Sequence, residues 1–144
     1  MKVFKYHPPY KANGRTSFPE TVKKSGVYLI KENSILVYVG FSQNNLYKTL
    51  YRHFQEWTDK SYRGGRSAPP EHRVTYVSKM KRHNYTVRIV YFSTAQAARL
   101  EKMLIRKHNP RDNWMKYEEY QQTGWDDKVI TEYDDAPIER ECPF

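Results

Sequence analysis

The stretch GVYLIKENSILVYVG, from Gly26 to Gly40, constrains this chain more than any other. Two runs rich in β-branched and aromatic residues flank Glu32, Asn33 and Ser34, and that pattern reads as an antiparallel hairpin with a two- or three-residue turn. Across a turn centred near Asn33, Tyr28 falls opposite or diagonal to Tyr38. Two phenols thus become neighbours, each close to a glycine, where alternating aliphatic residues would have packed as well.

The rest of the chain supplies the partners of that hairpin. Residues 1–23 are polar and proline-containing and read as an irregular lead-in, with a short edge strand near Val3–Tyr6. Downstream, Leu46, Leu50, Phe54 and Trp57 recur at helical spacing behind a cap at Asn44 or Asn45. The stretch KSYRGGRSAPP breaks that helix into a flexible basic loop carrying Lys60, Arg63 and Arg66. Two strand-like runs follow, at 72–77 and 85–92, with Lys79, Lys81, Arg82 and His83 between them. Ser93 and Gln96 form a capping-box pattern at the head of a second helix that ends before Pro110. The segment NPRDNW is a turn, and a last short helix is expected at 114–122. Hairpin, helix, strands and helix in this order predict a small α+β fold, an antiparallel sheet of about three strands flanked by helices. The expected layout is a lead-in at 1–23, a domain at 24–121 and an acidic tail at 122–144.

Charge narrows the function. The 144 residues carry a formal net charge of +9, and 13 of them are tyrosine. From Asp126 to Phe144 seven acids face two bases, a net charge of −5, so residues 1–125 carry +14. A basic body points to an anionic partner, nucleic acid first. The acidic tail either competes for that surface or keeps a basic protein soluble. The single cysteine, Cys142, excludes a disulfide framework and a thiolate metal cluster. No apolar run approaches membrane-spanning length and the N-terminus lacks the core of a signal peptide, so a cytoplasmic protein with no membrane partner is expected.

Several polar residues stand where apolar ones would be expected. On a helical wheel Glu101 falls inside the arc of Leu100, Leu104, Ala97 and Ile105. A carboxylate there either pairs with a neighbouring base at the core margin or holds a hard divalent ion through oxygen. On the first helix His53 lies on the buried side with Thr49 at its edge one turn earlier, and Arg52 faces solvent or a bound polyanion. Such a histidine is either a satisfied core residue or, beside phenols, a proton acceptor near neutral pH. Asn113 either bonds within its own loop or belongs to the same constellation.

In this order Gly26-Val27-Tyr28, Tyr38-Val39-Gly40, His53 in NLYKTLYRHF, Glu101 in ARLEKMLI and Asn113 in NPRDN resemble the GIY-YIG nuclease superfamily over roughly residues 24–115. The resemblance implies a metal-dependent endonuclease that hydrolyses DNA phosphodiesters. Glu101 would hold one Mg²⁺ (or Mn²⁺) on the scissile phosphate, Tyr28 aided by His53 would deprotonate or position the attacking water, and Tyr38 is the second choice for that role. Asn113 would fix Glu101 or the phosphate side of the site. A phenol with an ordinary pKa of about 10 is a poor base, so its surroundings must lower that value or take up its proton. The family's arginine one turn before the histidine is replaced by Thr49, and a contact of that kind is worth about 3 kcal/mol. Arg52 could curl back to supply the charge, or Arg63 or Arg66 could enter with DNA. Lys48, Lys60, Arg63, Arg66, Lys81 and Arg82 are the expected nucleic-acid contacts. With little room for a separate targeting module, structure-specific binding, a homodimer or a partner protein is expected to supply targeting. The alternative is a catalytically impaired domain of the same fold that binds nucleic acid without cutting it.

Overall fold

The hairpin turns on two residues in the left-handed region, Asn33 at φ 50° and Ser34 at φ 71°, the backbone that matches the twist of tightly paired strands. Asparagine tolerates it better than most side chains. Asn33 also ties the hairpin tip to the chain entering the next strand: its N–H donates to the Asn84 carbonyl at 2.8 Å and its Oδ1 accepts from the Asn84 N–H at 2.9 Å. The structure is a computed structural model that describes residues 1–9, 24–43, 45–54, 74–113 and 127–139, with the side chains at 47, 48, 51, 127 and 128 left out.

The described elements are β1 (Lys2–Phe4), β2 (Gly26–Glu32), β3 (Ile35–Ser42), α1 (Leu46–Phe54), β4 (Tyr85–Tyr91), α2 (Thr94–His108), α3 (Asp127–Asp135) and β5 (Ile138–Glu139). Short 3₁₀ turns lie at Val77–Lys79 and Arg111–Asn113. The sheet runs β3-β2-β4-β1-β5. The β1–β5 pair is parallel and every other pair is antiparallel.

β2 lies between β3 and β4, and its first five residues are all buried. An unbroken apolar run of this kind marks a strand covered on both faces. Tyr28 and Ile30 face one core, with Tyr38, Leu46, Leu50, Phe54, Tyr76, Tyr85 and Ile89. Val27 and Leu29 face the other, with Val39, Val90 and the Ala97, Leu100 and Leu104 face of α2. The sheet is therefore a partition: α1 and the phenols lie on one side, α2 and α3 on the other.

The five-stranded mixed sheet corrects the expectation of three antiparallel strands. β1 is not an edge strand but sits between β4 and β5. The second correction concerns 72–77: its described part, 74–76, is irregular and leads into the 3₁₀ turn at Val77–Lys79. The acidic segment is folded where it is described. Val129 of α3 is 2% exposed and β5 adds to the sheet beside β1, so 127–139 packs with the sheet. α2 spans the residues expected of it, 94–108. Its Ser93 and Gln96 bond side chain to side chain at 2.6 Å, without a side-chain cap on the backbone. Asn109, at φ 43°, ends the helix by donating its N–H to Ile105. The basic loop at 60–70 and the helix expected at 114–122 lie outside the described residues. Among the described residues no helix is long and apolar enough to cross a membrane.

A chain of polar groups fastens the far end of β2. Glu32 accepts from Tyr85 Oη at 2.8 Å and from both Nη atoms of Arg111 at 3.1 Å. Arg111 in turn grips Asp112 through Nε and Nη2 at 2.9 Å, and Asp112 accepts from Tyr76 Oη at 2.9 Å. Hydrogen bonds from Arg111, with smaller help from Tyr85, bring the Glu32 carboxyl from 4.5 down to about 2 against the opposing effect of burial. A lowered carboxyl stabilises the fold fully above its unfolded value and loses that contribution as the pH falls through its folded one. Glu32→Gln should therefore cost about 1–2 kcal/mol at neutral pH. In chemical denaturation the gap between the two proteins should close as the pH falls from 4.5 through about 2.

Candidate active site

The hairpin register sets the two phenols diagonally. Tyr28 pairs with Gly40 and Tyr38 with Ile30, and the two rings stand 6.0 Å apart between centroids. The glycines are close-approach positions. A Cβ on Gly40 would run into the Tyr28 phenol, and a Cβ on Gly26 would run into the Val90 carbonyl of the neighbouring strand. Gly40 thus leaves the space that the Tyr28 ring occupies, and Gly26 lets β4 close on β2.

α1 brings His53 onto this pair. Its ring centroid lies 4.8 Å from that of Tyr38 and 5.5 Å from that of Tyr28. Tyr28 Oη and His53 Nε2 are 2.8 Å apart. On the other side of the ring, Nδ1 lies 2.7 Å from the Val74 carbonyl oxygen. A carbonyl only accepts, so Nδ1 carries a proton and donates it there. In the neutral ring Nε2 is then an acceptor, and the Tyr28 hydroxyl donates to it. The histidine that the helical wheel placed on the buried side is 6% exposed, with Tyr28 at 2% and Tyr38 at 9%.

This geometry answers half of the requirement on a tyrosine base. An acceptor for the phenolic proton is in place. The surroundings do not make that proton easier to lose: burial raises the Tyr28 pKa well above its ordinary value, and Tyr38 and the charge of Glu101 raise it further.

Glu101 lies deeper than a core margin. It is 1% exposed in the middle of α2, among Ala97, Leu100, Leu104 and Ile105, which are fully buried. Its charge is nonetheless felt at Tyr28. Asn113 is held in another way. Its Oδ1 accepts from the Val39 N–H at 2.7 Å and its Nδ2 donates to the Val39 carbonyl at 2.8 Å. β3 is an edge strand, so the Asn113 amide completes a ladder position that would otherwise lack a partner. Thr49 turns its hydroxyl back to the Asn45 carbonyl at 3.2 Å, the usual helical back-bond of threonine. Arg52 is partly exposed on the same helix, and Lys81 and Arg82 are exposed on the turn leading to β4. The Lys48 side chain, Lys60, Arg63 and Arg66 lie outside the described residues.

Two participants escape a reading of the sequence. Tyr76 extends the ring stack, 6.2 Å from His53 and 4.9 Å from Tyr85 between centroids; its only signal was an aromatic in a run that reads as a strand. The Val74 carbonyl that fixes the histidine tautomer has no side-chain signature. Among the described residues no group of three or more His, Cys, Asp or Glu side chains is placed to hold a metal ion.

A family model described as the GIY-YIG catalytic domain matches residues 24–118, about two thirds of the chain. The protein belongs to the GIY-YIG family. No curated protein and no solved structure matches it.

Two substitutions test this construction. Gly40→Ala should cost about 1–3 kcal/mol in denaturant unfolding, because the new methyl overpacks the Tyr28 ring. Asn113→Ala should cost about 2–3 kcal/mol by leaving both Val39 backbone groups without their buried partner. Asn113→Asp, which keeps the acceptor and removes the donor, should be no better tolerated.

Proposed function

We propose that this protein is a GIY-YIG domain that binds nucleic acid and is impaired in phosphodiester cleavage. The observation that carries the reading is Thr49. Where the resemblance expects a guanidinium, the side chain is a short hydroxyl bonded to its own helix at 3.2 Å. A transition state that gains negative charge then lacks a contact worth about 3 kcal/mol, or roughly a hundredfold in rate. The burial of Glu101 at 1% exposure supports the same reading. Mg²⁺ keeps several waters and needs room for them beside its carboxylate. Glu101, at 1% exposure on α2, leaves little room for a hydrated ion as it is arranged.

Binding needs none of that machinery. The +14 charge of residues 1–125 supports counterion-driven attachment to a phosphate backbone, with Lys81 and Arg82 exposed and Arg52 partly exposed among the described residues. Lys48, Lys60, Arg63 and Arg66 complete the proposed contact set.

A second reading, an active DNA endonuclease, is favoured by the hydrogen bond of 2.8 Å between Tyr28 and His53. There His53 Nε2 would take the phenolic proton as Tyr28 Oη receives one from the attacking water. Glu101 would have to become accessible to hold Mg²⁺ or Mn²⁺, which when bound would supply Lewis acidity at the phosphate.

One pair of experiments separates the two. DNA affinity by fluorescence anisotropy should fall linearly on a log–log plot against salt. Plasmid nicking with Mg²⁺ or Mn²⁺ should be no greater for the wild type than for Glu101→Ala. Metal-dependent nicking that Glu101→Ala abolishes would establish the second reading, and binding without salt dependence would defeat the first.

A further inference from the structure

The sheet face opposite Tyr28 carries a cavity of about 440 Å³. Its walls come from the N-terminal segment, β2, β3, β4, the last turn of α2 and α3, and all of its lining residues are described. The lining is one-sided in charge. Lys31, Arg88 and Lys107 are fixed cations, His108 is a fourth basic group, and Asp134 is the one carboxylate.

The cations are organised around tyrosine. Lys31 Nζ lies 4.1 Å and the Arg88 guanidinium carbon 4.5 Å from the centroid of the Tyr6 ring. Arg88 Nη1 donates to Tyr133 Oη at 3.3 Å. The Arg88 Nε is buried without a hydrogen-bond partner, a rare condition for a guanidinium N–H in a folded protein. Among the described residues no carboxylate pairs with Lys31, Arg88 or Lys107. Burial, more than the neighbouring Tyr133, raises the pKa of Tyr6, while Arg88 opposes it, so Tyr6 keeps its hydroxyl proton. The carbonyl end of α2 carries partial negative charge, which Lys107 in its last turn offsets; burial and the neighbouring Lys107 lower the His108 pKa against the opposing charge of Asp134, so its neutral ring adds no charge.

Three fixed cations gathered in a concave space against a single carboxylate leave a net positive charge that suits an anionic ligand. A guanidinium flanked by ammonium groups and phenolic hydroxyls suits phosphate oxygens, which accept several charge-assisted hydrogen bonds together. The volume admits more than inorganic phosphate and falls within the range of small-molecule sites. Asp134 at the rim offers an acceptor to a hydroxyl or amino group on the body of the ligand. We propose that this cavity binds a small organic phosphate of nucleoside monophosphate size, at a site separated by the sheet from Tyr28 and His53. The phosphate chemistry is shared by a free nucleotide and by a nucleic-acid strand; a volume of about 440 Å³, in the range of small-molecule sites, favours the former.

The test is titration of the full chain with adenosine monophosphate and with inorganic phosphate, followed by ¹H–¹⁵N NMR. Saturable shifts at Tyr6, Arg88, Lys107 and Tyr133 are expected, tighter for the nucleotide than for the bare ion. Lys107→Gln, at an exposed position that carries no folding risk, should weaken binding by about tenfold. Arg88→Met should weaken it at least as much, while Lys5→Gln, which removes one charge outside the lining, should leave it unchanged. Shifts that fail to saturate by about 10 mM, or equal affinity in Lys107→Gln and the wild type, would overturn the proposal. A 5′-hydroxyl oligonucleotide that shifts the same resonances at lower concentration than the mononucleotide would overturn the small-ligand assignment in favour of a strand. None of these readouts depends on cleavage or on Thr49, so failure here and failure of the proposed function are distinguishable.

Discussion

The hydrogen bond between the Tyr28 hydroxyl and His53 Nε2 holds the described site together. It exists because three separate features converge. Gly40 has no side chain where the phenol must lie. α1 presents His53 from above the same sheet face. The Val74 carbonyl takes the proton of the other ring nitrogen, so that Nε2 is the acceptor that meets Tyr28. Remove any one and a buried polar group loses its partner at 2% or 6% exposure, a loss of about 1–3 kcal/mol on top of any packing defect. The two motif glycines and the two phenols are thus parts of one packing solution, and this is why aliphatic residues would not have served in their place.

That packing solution creates a tension with base catalysis. The burial that orders the phenol also strengthens its hold on its proton. A family scaffold can be preserved for its packing while its chemistry weakens, since the sheet, the ring stack and the Asn113 clip on Val39 stabilise the fold whether or not a phosphate is ever cleaved. Under the proposed function Thr49, back-bonded to the Asn45 carbonyl, offers a phosphate no guanidinium.

Local pattern made much of this legible. The hairpin with its turn at Asn33, the span of α2 and the buried side of α1 all follow from periodicity and turn chemistry within a dozen residues. The five-stranded sheet was not legible, because β1 and β5 are two or three residues long and owe their pairing to partners far along the chain. Nor was the depth of Glu101: a wheel gives direction about a helix axis but not the thickness of what covers it. For Asn113 the sequence left a loop bond and a site role open, and only the edge position of β3 explains a carboxamide with both ends on Val39. The cation cluster at Lys31, Arg88 and Lys107 joins three elements distant in sequence, so no motif could announce it.

The ¹⁵N chemical shifts of the His53 ring test the central claim most directly. Long-range ¹H–¹⁵N correlation at neutral pH should show Nδ1 protonated and Nε2 as a hydrogen-bonded acceptor, with the Nε2 signal moving to that of a free acceptor in Tyr28→Phe. A ring protonated at Nε2 with an accepting Nδ1, or an Nε2 signal indifferent to Tyr28→Phe, would contradict the account.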